Sequence, residues 1–263
     1  MDLGLTGRVA IVGGASRGMG RAIAAALVRE GARVALCARR PDVLTEAAAE
    51  LGRDAPDRVL AVPADLSRPD DVPRVVARTV ERWGRVDVAV NNVGGPPPGQ
   101  PLGLTDAQWR DAFELNFFSV VRMCREVVPL MQAGGWGRIV NLLSLSVRQP
   151  EANLALSTTA RLAVVAYARS LADEVARDGI TVNNVLPGSV ATERLQAVAE
   201  MQARFHGRDV AGAMDDRLAL VPVGRFGQPE EVADLVCYLA SERAGFLTAL
   251  SIPFDGGQLR ATL

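Results

Sequence analysis

The chain has 263 residues, 49% apolar and 22% charged, enough for one large covered core. A formal net charge of −1 without lysine- or arginine-rich runs excludes a nucleic-acid partner, and no apolar stretch is long enough to span a bilayer. Three scattered cysteines (Cys37, Cys124, Cys237) and one histidine (His206) argue against a disulfide frame and against a metal centre.

In chain order, strands are expected at about 8–12, 33–37, 59–62, 86–90, 138–142, 181–186 and 250–253. These runs are apolar without alternation, the pattern of strands buried on both faces of a parallel sheet. Helical patterns fall between them at about 18–30, 41–51, 69–83, 106–132, 153–178 and 229–241. The βα rhythm implies right-handed crossovers with helices on both faces of the sheet. No linker, repeat or low-complexity run divides the chain, and Met1–Arg8 has no charged lead into an apolar stretch. The expectation is one doubly wound α/β Rossmann-fold domain over 1–263, with a parallel sheet of about seven strands, in a reduced cytoplasmic setting. Residues 1–150 form mainly its cofactor-binding half, and 151–263 its catalytic and substrate-loop half. Two long connections, 94–105 with three consecutive prolines and 189–226 with a helical insert near 193–205, leave from the carboxyl ends of strands, where such folds bind ligands.

The first strand runs into Gly13-Gly14-Ala15-Ser16-Arg17-Gly18-Met19-Gly20, which opens directly into a helix. Glycines at Gly14, Gly18 and Gly20 let the backbone turn tightly and approach a pyrophosphate, which then sits on the positive helix end. At the end of the second strand, Ala38 stands where an NAD site usually has an acid for the ribose hydroxyls, and Arg39 follows. Arg39 and Arg17 can clamp a 2′-phosphate through charge-assisted hydrogen bonds, so the expected cofactor is NADP(H).

With these motifs the chain resembles the short-chain dehydrogenase/reductase family along nearly its whole length. The glycine loop, with Ser16 and Met19, matches the family's cofactor motif, and Asp65-Leu66 resembles the pair that holds the adenine. Asn91-Asn92-Val93-Gly94 resembles the Asn-Asn-Ala-Gly signature after the fourth strand. The resemblance makes Asn116 a helix-kinking residue that orders a proton-relay water, and lays Pro187, Gly188 and Thr192 against the nicotinamide. Gly224–Glu231 and Asp255-Gly256-Gly257 match the C-terminal signatures, and relatives commonly assemble as tetramers, so a homo-oligomer (tetramer or dimer) is implied. Phe117, Phe118, Val120 and Val121 could serve either that interface or the core.

The catalytic motif departs from the family pattern. Ser144 stands at the expected serine, but Ser157 and Arg161 occupy the tyrosine and lysine positions with the spacing intact. A serine hydroxyl is a weaker acid and a shorter reach than a phenol, and a guanidinium stays charged and cannot pass a proton along. Losing a positioned acid or base costs a factor of about 10² to 10⁴. Ser144 can still bond a substrate oxygen, while Arg161 can stabilise charge developing there or bind the nicotinamide ribose. Tyr167 and Tyr238 read as packing residues, and His206, in the insert, as a solvated histidine. Three functions stay open: an NADP(H) oxidoreductase acting on a small carbonyl, enone or quinone; a non-redox cyclase, isomerase or dehydratase; and a catalytically silent nucleotide-binding subunit.

Overall fold

Seven β-branched and apolar runs form one sheet: β1 (Val9–Gly13), β2 (Arg33–Ala38), β3 (Val59–Pro63), β4 (Val88–Asn91), β5 (Gly137–Leu142), β6 (Ile180–Pro187) and β7 (Ser251–Phe254). A computed structural model describes residues 1–207 and 209–261, the side chains of 204–206 excepted. All strand pairs are parallel, in the order β3-β2-β1-β4-β5-β6-β7. The strand order reverses between β1 and β4, which creates a crevice at their carboxyl ends. The central strands β1, β4, β5 and β6 are buried along their length. The edge strands β3 and β7 are only partly covered, and each carries a proline, Pro63 or Pro253, which an edge tolerates.

The helices are α1 (Gly18–Arg29), α2 (Pro41–Leu51), α3 (Asp71–Trp83), α4 (Asp106–Phe113), α5 (Ser119–Gly134), α6 (Ala155–Val175), α7 (Glu193–His206), α8 (Val210–Ala219) and α9 (Pro229–Leu239). Helices α3, α5 and α6 bury Val76, Val127 and Val164 against Ile11, Ile139 and Val182 on one face of the sheet. Helices α1, α2 and α9 bury Ile23, Leu44 and Val236 against Val12, Val34 and Val140 on the other. Each such side chain contributes about 2 kcal/mol of transfer free energy, so the two half-cores hold the strand ends in place.

Three departures from the expected elements bear on the site. The helix expected over 106–132 is interrupted: α4 and α5 are joined by a π-helical turn, Glu114–Phe118, with Asn116 buried at its centre. The inserted residue breaks the regular hydrogen-bond ladder and turns Asn116 toward the β4 loop. Helix α6 starts at Ala155 because Asn153 sits at φ +63°, a left-handed conformation that asparagine accepts more readily than most residues. The insert after β6 holds two helices, and the second is started by Asp209, whose Oδ1 accepts from Gly212 N at 2.7 Å.

Two polar constructions lie inside the sheet. Asn91 Nδ2 donates to Asn141 Oδ1 (2.8 Å), Asn141 Nδ2 to Asn184 Oδ1 (2.9 Å), and Asn184 Nδ2 to Ser251 Oγ (3.0 Å). These residues are register partners across β4, β5, β6 and β7, so the amide ladder pins the register where the site begins. At the amino ends of the strands, Arg8 pairs with Glu242 (2.9 Å) and Asp87 (3.5 Å), and Arg85 pairs with Asp87. Arg8 and Arg138 also lie 3.8 and 4.3 Å from the centroid of the Trp136 ring between them.

Candidate active site

The glycine loop follows β1 at the crevice. Asn92 Nδ2 donates to Gly13 O (2.9 Å), fixing the loop against the end of β4. Gly14 (φ +59°) makes the turn, and a Cβ on Gly20 would stand 2.3 Å from Gly14 O, so only glycine fits there. Helix α1 then begins without a side-chain cap: Arg17 at its N-cap makes no capping bond, and the first turn holds no acid. Its leading N–H groups, including those near Met19, are therefore available to an anion. Leu66 is buried against Gly13, and Asp65 Oδ1 is engaged by Ser67 Oγ (2.8 Å) and Ser67 N (3.1 Å).

Both arginines expected at a 2′-phosphate are exposed on this side of the sheet. Arg39 makes no hydrogen bond or ion pair among the described residues. Arg17 is ion-paired with Glu193, the first residue of α7, so the glycine loop and the insert meet over the crevice. Gly18 and Thr192 also approach there: a Cβ on Gly18 would lie 3.7 Å from Thr192 Cγ2. Thr192 Oγ1 accepts from Leu195 N (3.3 Å) and starts α7. Pro187 closes β6, and Gly188 N donates to Phe254 O (3.0 Å), with Asp255 packed where a Gly188 side chain would be.

Ser144, Ser157, Arg161 and Asn116 converge beyond β4 and β5. Arg161 is 7% exposed and donates from Nη1 to Leu142 O (2.9 Å) and Leu143 O (3.1 Å), from Nη2 to Val93 O (3.3 Å), and from Nε to Ser157 Oγ (3.2 Å). Four of its five N–H groups are thus taken by the protein, which leaves one on Nη2 for a ribose or a substrate. Burial, with a smaller push from nearby Arg194, lowers its pKa to about 10. Ser144 Oγ accepts from Ser146 N (3.2 Å). Asn116 Nδ2 donates to Gly94 O (3.1 Å), while its buried Oδ1 has no partner.

Other candidates lie elsewhere. Tyr167 packs edge-on to Phe117, 6.2 Å between ring centroids, and burial beside Cys124 raises its pKa. Tyr238 is on α9, and the His206 side chain lies outside the described residues. The three cysteines are buried, their thiols pushed up to about 12 by desolvation. Among the described residues no group of three or more His, Cys, Asp or Glu could hold a metal, and no helix is long and apolar enough to cross a membrane. A recess of about 540 Å³ beside α7 is lined by Thr192, Leu195, Met214 and Phe226 but reaches none of Ser144, Ser157 and Arg161. Its other lining includes Glu193, Gln196 and Glu200.

Two features escaped the sequence reading. The amide ladder was announced only by asparagines near three strand ends. Arg194 was announced only by being a charged residue directly after Thr192 and Glu193.

A family model described as enoyl-(acyl carrier protein) reductase matches residues 14–258. A 3-oxoacyl-(acyl-carrier-protein) reductase of Vibrio cholerae is 32% identical over 256 residues, covering 97% of this chain and 98% of that protein. The crystal structure of L-sorbose reductase from Gluconobacter frateurii, complexed with NADPH and L-sorbose, superposes with a TM-score of 0.93 at 34% identity, over 99% of this chain and 100% of that one. A variant of actinorhodin polyketide ketoreductase with NADPH gives a TM-score of 0.92 at 37% identity, over 97% of this chain and 98% of that one.

Proposed function

The chain belongs to the short-chain dehydrogenase/reductase family, and on that premise we propose that it is an NADP(H)-dependent carbonyl reductase with a remodelled proton site. The substrate is a small organic carbonyl, enone or quinone-type compound, and hydride is supplied by the nicotinamide cofactor when bound. The observation that carries the cofactor assignment is the bare N-terminus of α1 under the glycine loop, flanked by exposed Arg17 and Arg39. Its uncapped N–H groups suit a pyrophosphate and the two guanidinium groups suit a 2′-phosphate. Asp65 and Leu66 would hold the adenine side, and Asn92, Gly94, Pro187, Gly188 and Thr192 the nicotinamide side.

The chain's own residues suggest how the substrate oxygen is handled. Ser144 Oγ and Ser157 Oγ each accept one N–H, from Ser146 N and from Arg161 Nε, which leaves each hydroxyl proton to donate outward. Ser157 bonds Arg161 directly and Ser144 follows Leu143, whose carbonyl Arg161 holds, so the buried positive charge favours negative charge on a substrate oxygen held by those hydroxyls. No phenol supplies a proton, so the site suits a substrate whose reduced form is a stabilised anion. Exposed Phe118 on the π turn and Leu162 on α6 support a homo-oligomer, testable by light scattering.

The test is NADPH oxidation over a panel of saturated ketones, enones and quinones. Turnover of enones or quinones above that of simple ketones is the expected result. Tight NADPH binding without oxidation of any member would overturn the reading in favour of a non-redox or silent role.

A further inference from the structure

The segment after β4 is gripped from three sides. Arg161 Nη2 donates to Val93 O (3.3 Å) and Asn116 Nδ2 to Gly94 O (3.1 Å). Arg194 lies against the next residue: a Cβ on Gly95 would stand 2.7 Å from its Nη2 and 3.2 Å from its Cζ. Two guanidinium groups therefore face one three-residue stretch, Val93 to Gly95, at the carboxyl end of the sheet.

Among the described residues no carboxylate pairs with either of them. Arg161 is bonded only to backbone carbonyls and a hydroxyl, and Arg194 makes no hydrogen bond or ion pair among the described residues. Glu193, its neighbour in sequence, is turned to Arg17 instead. Partial burial of the Arg194 guanidinium lowers its pKa, although the residue as a whole is exposed, and it depresses Arg161 in turn. A like charge beside a buried one is unfavourable unless something negative joins them. The stretch borders open space, on the side assigned above to the nicotinamide: a Cβ on Gly94 would meet nothing within 4 Å.

We propose that Arg194, with the charge of Arg161 behind it, binds the carboxylate of the substrate, so that the substrate class is a carboxylic acid bearing an enone or quinone carbonyl, whose oxygen is held by Ser144 and Ser157. A carboxylate matches one free guanidinium edge with its two oxygens. A phosphate dianion would call for a second set of donors, and Arg161 has a single N–H left. Arg194 acts as a specificity-determining residue. The inference rests on the carbonyl-reductase reading of the site, and it narrows that reading to acids.

The experiment is calorimetric titration of the full chain, saturated with NADP⁺, with the enone acid 4-oxopent-2-enoate and with acetoacetate and levulinate, each against its methyl ester. The expected result is that at least one acid binds about tenfold or more tightly than its ester, a difference of about 1.4 kcal/mol. Arg194→Met should remove that difference and leave NADP⁺ affinity unchanged. Equal binding of acid and ester throughout the series, or no binding of any acid, overturns the proposal. So does an Arg194→Met variant that loses NADP⁺ affinity and keeps the acid preference, which would assign Arg194 to the cofactor's phosphates. NADPH oxidation on the same pairs is read separately. Acid-selective binding without turnover supports the anion site and counts against the reductase reading alone.

Discussion

The two ends of the sheet use the same side chain for different purposes. At the amino ends of the strands, Arg8, Arg85 and Arg138 stand with Asp87, Glu242 and the Trp136 ring. At the carboxyl ends, Arg161 and Arg194 stand with backbone carbonyls, a serine hydroxyl and each other. Arg138 and Arg161 are alike in burial, and desolvation pulls both pKa values down to about 10. After desolvation, another arginine presses on each, Arg8 on Arg138 and Arg194 on Arg161; the difference is Glu242, which works against the shift at Arg138 and has no counterpart at Arg161 among the described residues. On the reading proposed above, the arginines at the amino ends serve the fold and those at the carboxyl ends await a ligand.

Removing each buried arginine is the harshest way to break the comparison. Arg161→Met strands the carbonyls of Leu142, Leu143 and Val93, and Arg138→Met strands those of Ser241, Gly137 and Gly179. Each loss should lower unfolding free energy by about 2–4 kcal/mol, measured from urea midpoints. Only Arg161→Met should also abolish turnover. An Arg138→Met variant that keeps its stability but loses substrate binding would reverse the roles of the two ends.

A subtler exchange sharpens the carboxyl end. Ser157→Tyr with Arg161→Lys restores the family's pair in name, yet one ammonium cannot replace four guanidinium bonds spread over β4, β5 and α6. The double variant should lose about 10²-fold or more in kcat/KM on the native substrate and gain little on simple ketones. Strong ketone turnover with native activity intact would show instead that this is an ordinary site with two residues drifted. The smallest effect concerns the exposed pair across the crevice. Glu193→Gln should change stability by less than about 0.5 kcal/mol in thermal unfolding, because solvent screens the Arg17–Glu193 pair. A shift well above that would mean the pair is structural.

How far the sequence could be read follows the reach of each signal. Strands such as β5 and the glycine loop were legible because a local pattern determines them, as were the motif positions that Ser144, Ser157 and Arg161 occupy. The π turn at Glu114–Phe118 was legible only through the family resemblance, which put a kink at Asn116, since one inserted residue barely disturbs a helical periodicity. Spacing put Ser157 and Arg161 on one helix face but could not say that the guanidinium would turn to Leu142 and Val93. That depends on how far β4 and β5 extend beneath α6. The ladder from Asn91 to Ser251 depends on register between strands far apart in the chain, and Arg194 on how the insert folds back over Gly95.

The central claim is that the unbalanced, arginine-bearing end of the sheet is an NADP(H) site, and cofactor titration tests it most directly. Fluorescence titrations of NADPH and NADH should give a dissociation constant at least about tenfold lower for NADPH, about 1.4 kcal/mol for the extra phosphate. Arg39→Asp should erase that preference. Equal affinities in the unaltered protein, or a preference that survives Arg39→Asp, would contradict the account.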